Sequence, residues 1–290
     1  MTSASQVDIQ ADIPAIVDAC MRHLEAHWQD RGYRDNVVIG TKYFVKFGDG
    51  DTLYSEYATQ SYISEYAETH PDTTRDLRVP KAIHFFRVEK TAYLVMEYIK
   101  LEASPSDLSE RIVGALRWLS GVPAPPGHVI GPLGSGYIRH GFFKDNEAPL
   151  RFSSVEALER YIEKVRLSSH FLTRPHPLRY TLDQARRMLS SAATKPVQPV
   201  SICGDRLMFT QSDVDTRNFG VDEHGNTVLL GFEQIAVVPE SFAVFAMSLG
   251  GLTGVCDSLG WSSNSTFSMA VISSILWMTG NPTLGVSSCT

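Results

Sequence analysis

A carboxylate and an amide stand five positions apart in this chain, at Asp213 and Asn218. Two short apolar runs follow them, residues 219–221 and 227–230, and the segment between the runs ends in Gly and Asn, which predicts a β-hairpin. Glu233 comes soon after the second run. Such a hairpin would bring the three polar side chains to one edge of a cleft, as phosphoryl transfer requires.

In phosphoryl transfer a carboxylate accepts the proton of the attacking hydroxyl, and Asp213 is the candidate for that role. An amide oxygen ligates a metal ion, which Asn218 could do, and an acidic residue after the hairpin holds the ion against the phosphates, which Glu233 could do. Asp215 lies between Asp213 and Asn218 and is a further carboxylate suited to proton transfer.

This stretch resembles the catalytic loop of the aminoglycoside phosphotransferase and choline kinase branch of the protein-kinase-like fold. The family loop reads His-Gly-Asp, four variable residues and Asn, and a metal motif of the form Asp-x-Glu or Asp-x-Asp follows it. Asp213 falls on the catalytic Asp, Arg217 and Asn218 fall on the Arg-Asn pair, and Glu233 falls on the end of the metal motif. The resemblance implies catalytic roles for Asp213, Asp215 and Arg217 and metal ligation by Asn218 and Glu233.

Three positions depart from the family pattern. Gln211 and Ser212 stand where the family has His and Gly, and Gly231 stands where it has the first metal-binding Asp. A glycine has no side chain with which to ligate a cation, and magnesium sites use one or two carboxylates together with phosphates. Glu233 would therefore have to supply the carboxylate, and the chain resembles a short, fungal-type member with a degenerate metal motif.

Lys46 lies in the second strand of a predicted N-terminal hairpin, residues 36–39 and 43–47, just ahead of a helix predicted over residues 52–68. The resemblance implies that Lys46 contacts nucleotide phosphates and that Glu56, in the first turns of the helix, orients it. Each residue also has an ordinary interpretation. A lysine in a strand is usually on its exposed face, and a carboxylate near a helix N-terminus is favoured by the helix dipole.

A second predicted hairpin, residues 79–86 and 91–99, ends in a sequence that resembles the hinge of this family. There Glu97 and Ile99 would meet the adenine edge of the nucleotide, although any buried strand can carry such residues. The resemblance implies an α+β, protein-kinase-like two-lobed fold. Residues 1–99 would form a small N-lobe with an antiparallel sheet and helix, and residues 100–290 a larger, mainly helical C-lobe.

Further helices are predicted from spacing and capping signals. One begins at Asp12, with Pro14 in its first turn, and others cover residues 106–120, 154–168 and 181–193. His140 lies in a Gly-rich loop on the acceptor side, where it could contact substrate or be an ordinary hydrogen-bonded histidine. The last segment, residues 253–290, carries one apolar helix and no functional motif.

Charge, cysteine spacing and the N-terminal sequence indicate which partners and which cellular compartment to expect. The net charge of −6 and the pI near 5.8 argue against a nucleic-acid or anionic-membrane partner. The four cysteines are widely spaced, without a metal-binding or CxxC pattern, which indicates reduced thiols. The N-terminus lacks the pattern of a signal peptide, so the expected location is cytoplasmic.

Two functional hypotheses follow. The first is an ATP- and magnesium-dependent phosphotransferase that acts on the hydroxyl of a small molecule, weakened by Gly231. The second is a kinase fold put to another use, either a non-phosphoryl biosynthetic enzyme with an acid/base or cyclisation role or a ligand-binding pseudokinase, because fold does not fix function. A third hypothesis is a non-catalytic interaction protein. The sequence does not reveal the acceptor or the oligomeric state.

Overall fold

The computed structural model describes residues 4–168, 197–250, 253–278 and 283. The chain folds into two compact units. The first combines Met1–Ala115 with Thr216–Glu233, and the second combines Leu116–Asp215 with Gln234–Thr290. The first unit thus takes in the predicted hairpin after Asn218, and the lobe boundary placed near residue 100 stays a prediction.

The first unit is built on a four-stranded antiparallel sheet of order β1-β2-β5-β4. Its strands are β1 (Asn36–Ile39), β2 (Tyr43–Gly48), β4 (Ala82–Val88) and β5 (Thr91–Glu97). Both predicted N-terminal hairpins are confirmed, and β5 is almost wholly buried at the centre of the sheet.

A helix covers each face of this sheet. In β2, Val45 and Phe47 join a core cluster with Ile16 and Cys20 of helix α1 (Ala4–His27). Successive side chains of a strand point to opposite faces, so the alternate positions of β2, including Lys46, face helix α2 (Gly50–Thr69). The alternation of the strand therefore directs the lysine toward α2.

Helix α1 begins eight residues earlier than the sequence predicted, at Ala4, and contains Pro14 in its interior. The prediction of a start at Asp12 was wrong because Asp12 and Pro14 together imitate a helix cap. The Asp12 carboxylate instead accepts a hydrogen bond from the Tyr43 hydroxyl at 2.9 Å. Pro14 has no amide hydrogen, so the helix lacks one backbone hydrogen bond at this point. The burial of Ile9 and Ile16, each 1% exposed, offsets that loss.

The predicted hairpin after Asn218 is present as β7 (Phe219–Val221) and β8 (Thr227–Leu229), and the short strand β3 (Leu77–Arg78) pairs with β8 in parallel. Both strands of the hairpin are fully buried. This three-stranded sheet belongs to the first unit together with the four-stranded one.

The second unit is mainly helical. Helix α3 (Leu108–Gly121) runs from the first unit into the second. The second unit then contains α4 (Val155–Ser168), the antiparallel ribbon of β6 (Leu207–Gln211) and β9 (Ile235–Pro239), α5 (Glu240–Leu249), α6 (Thr253–Leu259) and α7 (Thr266–Met278). Buried side chains of α4, α5, α7 and β9 share one apolar cluster. The helix predicted over residues 181–193 lies outside the described residues.

Within the described ranges, no helix combines the length and the apolar character needed to cross a bilayer.

Candidate functional site

Three of the predicted site residues meet in the first unit. The Lys46 Nζ lies 2.7 Å from Glu56 Oε1 and 3.4 Å from Glu233 Oε2. The side chain of Glu56 is 2% exposed, that of Lys46 19% and that of Glu233 42%. The lysine ammonium is therefore shared between one buried carboxylate and one carboxylate that reaches solvent.

Helix α2 places Glu56 by its spacing. The Asp49 side chain caps the helix by accepting a hydrogen bond from the Thr52 amide at 2.9 Å. From there Leu53, Glu56 and Gln60 occupy one buried stripe at helical spacing. Glu56 is thus held on the inner face of α2, where Lys46 can pair with it.

The two carboxylates determine the charge of Lys46. Burial alone would lower the pKa of its ammonium, but the charges of Glu56 and Glu233 outweigh burial and raise the pKa. Lys46 is consequently a cation throughout the physiological range. Because the contact with Glu233 is longer and more exposed, Glu233 is the partner that an incoming anion could replace.

The base of the hairpin carries Asn218 and Gly231. A short 3-10 turn, Thr216–Asn218, leads into β7, and the Asn218 carbonyl accepts a hydrogen bond from the Leu230 amide at 2.9 Å. Gly231 follows with a φ of 69°, in the left-handed region. Arg217 lies on the same turn and is exposed. The hydrogen bond between Leu230 and Asn218 joins Asn218 to the segment that leads to Glu233 at the base of the hairpin.

Asp213 and Asp215 belong to the second unit and are half-buried just after β6. The Asp213 amide donates to the Gln211 side-chain oxygen at 3.2 Å, and the Ser212 amide donates to the Gln234 carbonyl at 3.0 Å. These contacts fix the start of the loop within its own unit. That the two aspartates act together with Lys46 stays a prediction.

The predicted hinge is partly used within the protein. The Glu97 amide donates to the Lys81 carbonyl at 2.9 Å, and the Tyr98 amide donates to the Lys42 carbonyl at 3.1 Å. The Glu97 carboxylate accepts a hydrogen bond from Arg78. Ile99, which is half-buried, comes next, and its contact with a nucleotide base stays a prediction.

Sequence reasoning missed Arg78 and Asp222. The Asp222 carboxylate, in a residue that is 2% exposed, accepts hydrogen bonds from the Asn226 amide at 2.8 Å, the His224 amide at 3.0 Å and Arg78 at 3.2 Å. Burial would raise the pKa of Asp222, but these hydrogen bonds lower it. Asp222 stands at the start of a turn that contains Gly and Asn, which is a local signal for the turn. No local pattern indicated that Arg78 is its partner.

His140 has a structural role in the second unit. It is completely buried, its Nε2 lies 3.0 Å from the Phe242 carbonyl, and its Nδ1 accepts a hydrogen bond from the Phe142 amide at 2.9 Å. This arrangement assigns the proton of the neutral ring to Nε2. Burial lowers the pKa of His140 to about 4. Both ring nitrogens are used by the backbone, which supports the ordinary interpretation.

The donor set suits a magnesium ion held jointly with a nucleotide. Across the described part of the chain, no group of three or more His, Cys, Asp and Glu side chains could hold a metal by itself. Asn218 offers an amide oxygen and Glu233 offers a carboxylate. One or two protein carboxylates plus phosphates and water are the usual ligands of Mg²⁺, so the residues fit in kind, provided that Glu233 turns away from Lys46.

No protein-family model matches this chain, and a search of curated proteins finds no match either. Solved structures do match. Aminoglycoside phosphotransferase APH(4)-Ia is 11% identical with a TM-score of 0.51, and the match covers 88% of each chain. The GDP complex of wild-type aminoglycoside 2'-phosphotransferase-IIIa is 11% identical over 89% of this chain and 86% of that chain, with a TM-score of 0.46.

Choline kinase LicA from Streptococcus pneumoniae is 14% identical over 91% of this chain and 88% of that chain, with a TM-score of 0.42. The likeness to APH(4)-Ia shows the fold: the chain is an α+β protein with a protein-kinase-like fold, of the kind found in aminoglycoside phosphotransferases. The fold predicted from the sequence is confirmed.

Proposed function

We propose that this protein is an ATP- and magnesium-dependent phosphotransferase that acts on a hydroxyl group of a small molecule. The observation that carries the proposal is the ion pair between Lys46 and the buried carboxylate of Glu56, placed in a kinase-like fold where a lysine can steady phosphates. The ammonium is pre-oriented by a carboxylate that is itself fixed on α2, so it can bind phosphate without first being ordered.

In the proposed reaction, the acceptor oxygen forms a bond to the γ-phosphorus while the bond from that phosphorus to the β,γ-bridging oxygen breaks. Asp213 takes the proton of the acceptor hydroxyl, and ADP leaves with the electron pair of the broken bond. Asp215 and Arg217 flank this step, Asp215 as a second carboxylate and Arg217 as a cation. Lys46 holds the phosphates, and the backbone near Ile99 holds the base.

A bound Mg²⁺ would neutralise phosphate charge, and Asn218 and Glu233 are the residues that would hold it. Glu233 would then exchange its contact with Lys46 for the metal, which leaves the ammonium to the phosphates. Loss of one metal carboxylate at Gly231 should cost on the order of 10²–10⁴ in rate relative to a complete site.

One observation favours a second candidate function. Gly231 supplies no carboxylate, and Glu233 already has a cationic partner in Lys46 without a metal. A ligand-binding pseudokinase or a biosynthetic enzyme that uses Asp213 and Asp215 for proton transfer would need no more than this.

Thermal shift with ATP tests the proposal. The protein should be stabilised by ATP with Mg²⁺, by about 2.7 kcal/mol at a ligand concentration one hundred times the Kd, and much less by ATP alone. Lys46→Met should abolish the response. Lys81→Met is the matched control, because Lys81 pairs with Glu68 on an exposed surface. No response of the parent protein to ATP with Mg²⁺ would refute phosphotransfer and favour the second candidate.

Gly231→Asp separates a weak kinase from a repurposed fold. Asp tolerates the left-handed region better than most residues, so the substitution should fold at a cost of about 1 kcal/mol or less. A degenerate kinase should gain Mg²⁺-dependent ATP hydrolysis, measured as ADP release. Gly231→Asn matches the shape without the charge and should gain little.

A further inference from the structure

We propose that Arg78 is a positioning residue for this site. Its guanidinium joins the end of β5 to the turn of the β7–β8 hairpin and so fixes the hairpin base, where the candidate metal ligands lie. The inference rests on the proposed function, because the geometry that Arg78 maintains is that of the proposed metal and phosphate site.

The guanidinium reaches two carboxylates at once. Its Nη2 donates to Glu97 at the end of β5, and its Nη1 donates to Asp222 at the start of the hairpin turn, at 3.2 Å. The Arg78 side chain is 34% exposed, that of Glu97 33% and that of Asp222 1%. One cation therefore links the predicted hinge strand with the buried carboxylate of Asp222, which lies 144 residues beyond Arg78 along the chain.

On the hairpin side, Asp222 transmits this contact to the turn. Its Oδ1 accepts from both the His224 and Asn226 amides, and its Oδ2 accepts from the Asn226 side chain at 3.1 Å and from Arg78. A carboxylate with this many donors cannot move without breaking the turn. The position of Arg78 therefore fixes the position of the turn.

Because the hairpin is short, the position of its turn also limits the position of its base. Each of its strands has three residues, and the Leu230 amide closes the base on the Asn218 carbonyl. The neighbouring backbone adds a second grip, because the Glu102 amide donates to the Val221 carbonyl at 2.8 Å. A displaced turn would shift the base, and a misplacement of about 1 Å can cost about 100-fold in a site that works by positioning.

Arginine suits this role better than lysine does. A guanidinium presents several donors in a rigid plane and can engage two carboxylates in different directions, whereas an ammonium is a single point of charge on a flexible chain. Arg78→Lys should therefore restore charge without restoring the double contact.

The first readout is amide hydrogen exchange in the ligand-free protein, which does not depend on nucleotide binding. In Arg78→Gln the Leu230 amide at the hairpin base should exchange about tenfold faster or more, the size expected for loss of a charged hydrogen bond. Glu97→Gln should produce the same change, and the double variant no further one. Unchanged exchange at Leu230 in Arg78→Gln would overturn the proposal.

Arg111→Gln is the matched control. Arg111 also contacts the turn, through the Gly225 carbonyl at 2.9 Å, but it does not bridge to β5. Its loss should leave exchange at Leu230 within about threefold of the parent, because Arg111 contacts the turn at one backbone carbonyl and the bridge through Arg78 stays in place. An equal effect of Arg111→Gln and Arg78→Gln would reduce Arg78 to one of several general turn contacts and contradict the proposal.

The second readout is the ratio of ATP affinity with Mg²⁺ to ATP affinity without it, from calorimetric titration. Arg78→Gln should lower this ratio about tenfold, a coupling in the usual range, and leave metal-free binding nearly unchanged. Arg78→Lys should stay close to Arg78→Gln. A general loss of stability would weaken both affinities equally, and that outcome, or an unchanged ratio, would overturn the positioning role.

The two readouts separate the inference from the proposed function. A parent protein that binds no ATP in either condition refutes the phosphotransferase. The exchange experiment then still decides whether Arg78 couples β5 to the hairpin.

Discussion

The ammonium of Lys46 lies between two carboxylates with different surroundings. Glu56 is buried and lies 2.7 Å from the Lys46 Nζ, whereas Glu233 is open to solvent and lies 3.4 Å from the same atom. Under the proposed function these two carboxylates have different roles: Glu56 orients the lysine, and Glu233 exchanges its contact with the lysine for the metal. The predicted pairing of Lys46 with Glu56 is thus present as an ion pair, and its role toward a nucleotide is part of the proposed function.

Glu56→Gln should destabilise the protein by about 3 kcal/mol, because it leaves a largely buried cation without its closest counter-charge. Chemical denaturation of parent and variant measures the change in unfolding free energy. Glu68→Gln is the control, since its pair with Lys81 is exposed and should contribute less than about 1 kcal/mol. Equal effects of the two substitutions would contradict the burial argument.

His140 should make the protein sensitive to acid. Its pKa is about 4 in the folded protein, against an ordinary value of 6.5. Between these values the unfolded chain binds a proton that the folded protein excludes. Stability is therefore complete above pH 6.5 and falls as the pH drops toward 4, by up to about 3 kcal/mol from this residue.

Unfolding free energies measured between pH 7 and pH 4 test this expectation. His140→Gln should flatten the acid side of the profile, even if the variant is less stable overall. His27→Gln, which alters an exposed histidine, should keep the parent slope. A parent profile that is flat over this range would show that His140 is not buried in its neutral form.

Among single residues, the sequence indicated those with local signals and missed those whose partners are distant. Lys46 and Glu56 are only 10 positions apart and lie on a strand and the next helix, so their meeting was predictable. Arg78 and Asp222 are 144 positions apart, and neither matches a motif. Their pairing follows from the parallel contact of β3 with β8, which local patterns do not specify.

At the scale of elements, the four-stranded sheet depends on being covered by a helix on both faces. Val45, on β2, is 0% exposed and packs toward α1, whereas Val38, on the edge strand β1, is 49% exposed. Val45→Ala should cost about 2 kcal/mol through lost apolar contact and the cavity left behind. Val38→Ala is the matched control and should change stability by less than about 0.5 kcal/mol.

Thermal or denaturant unfolding of both variants measures the difference. If the two substitutions lower the unfolding free energy equally, then the packing of α1 on the sheet does not stabilise the protein. The start of α1 at Ala4 would then not be explained by this packing.

Elements with a strong period were predicted well, and elements that depend on tertiary packing were not. The strands of the four-stranded sheet and helix α4 appear close to their predicted bounds, because alternation and helical spacing are local properties, whereas the short strand β3 was not predicted. The start of α1 was misplaced because Asp12 has the chemistry of a cap but is used by Tyr43, a residue 31 positions away.

At the scale of the whole molecule, the first unit is assembled from two separate pieces of chain. A fragment that ends at Gly121 keeps α1, α2 and the four-stranded sheet but lacks the hairpin that pairs with β3 and supplies the Asp222 contact of Arg78. Joining residues 216–233 to this fragment through a flexible Gly/Ser linker should raise its denaturation midpoint, because the hairpin restores buried strand pairing and the Asp222 contact.

The same linker carrying a scrambled version of residues 216–233 is the control for this experiment. If the scrambled and native segments give the same midpoint, the hairpin does not belong energetically to the first unit, and the division of the chain into these two units would fail.

The order in which the chain is made gives this division a further consequence. Residues 1–115 emerge from the ribosome before residues 216–233. The strand β3 therefore has no β8 to pair with while residues 116–215 are synthesised. Domains generally fold as they emerge, from the N-terminus onward, and unpaired strand edges invite aggregation. We therefore expect the nascent chain to be most prone to aggregation between the emergence of β3 and the emergence of the hairpin that pairs with it.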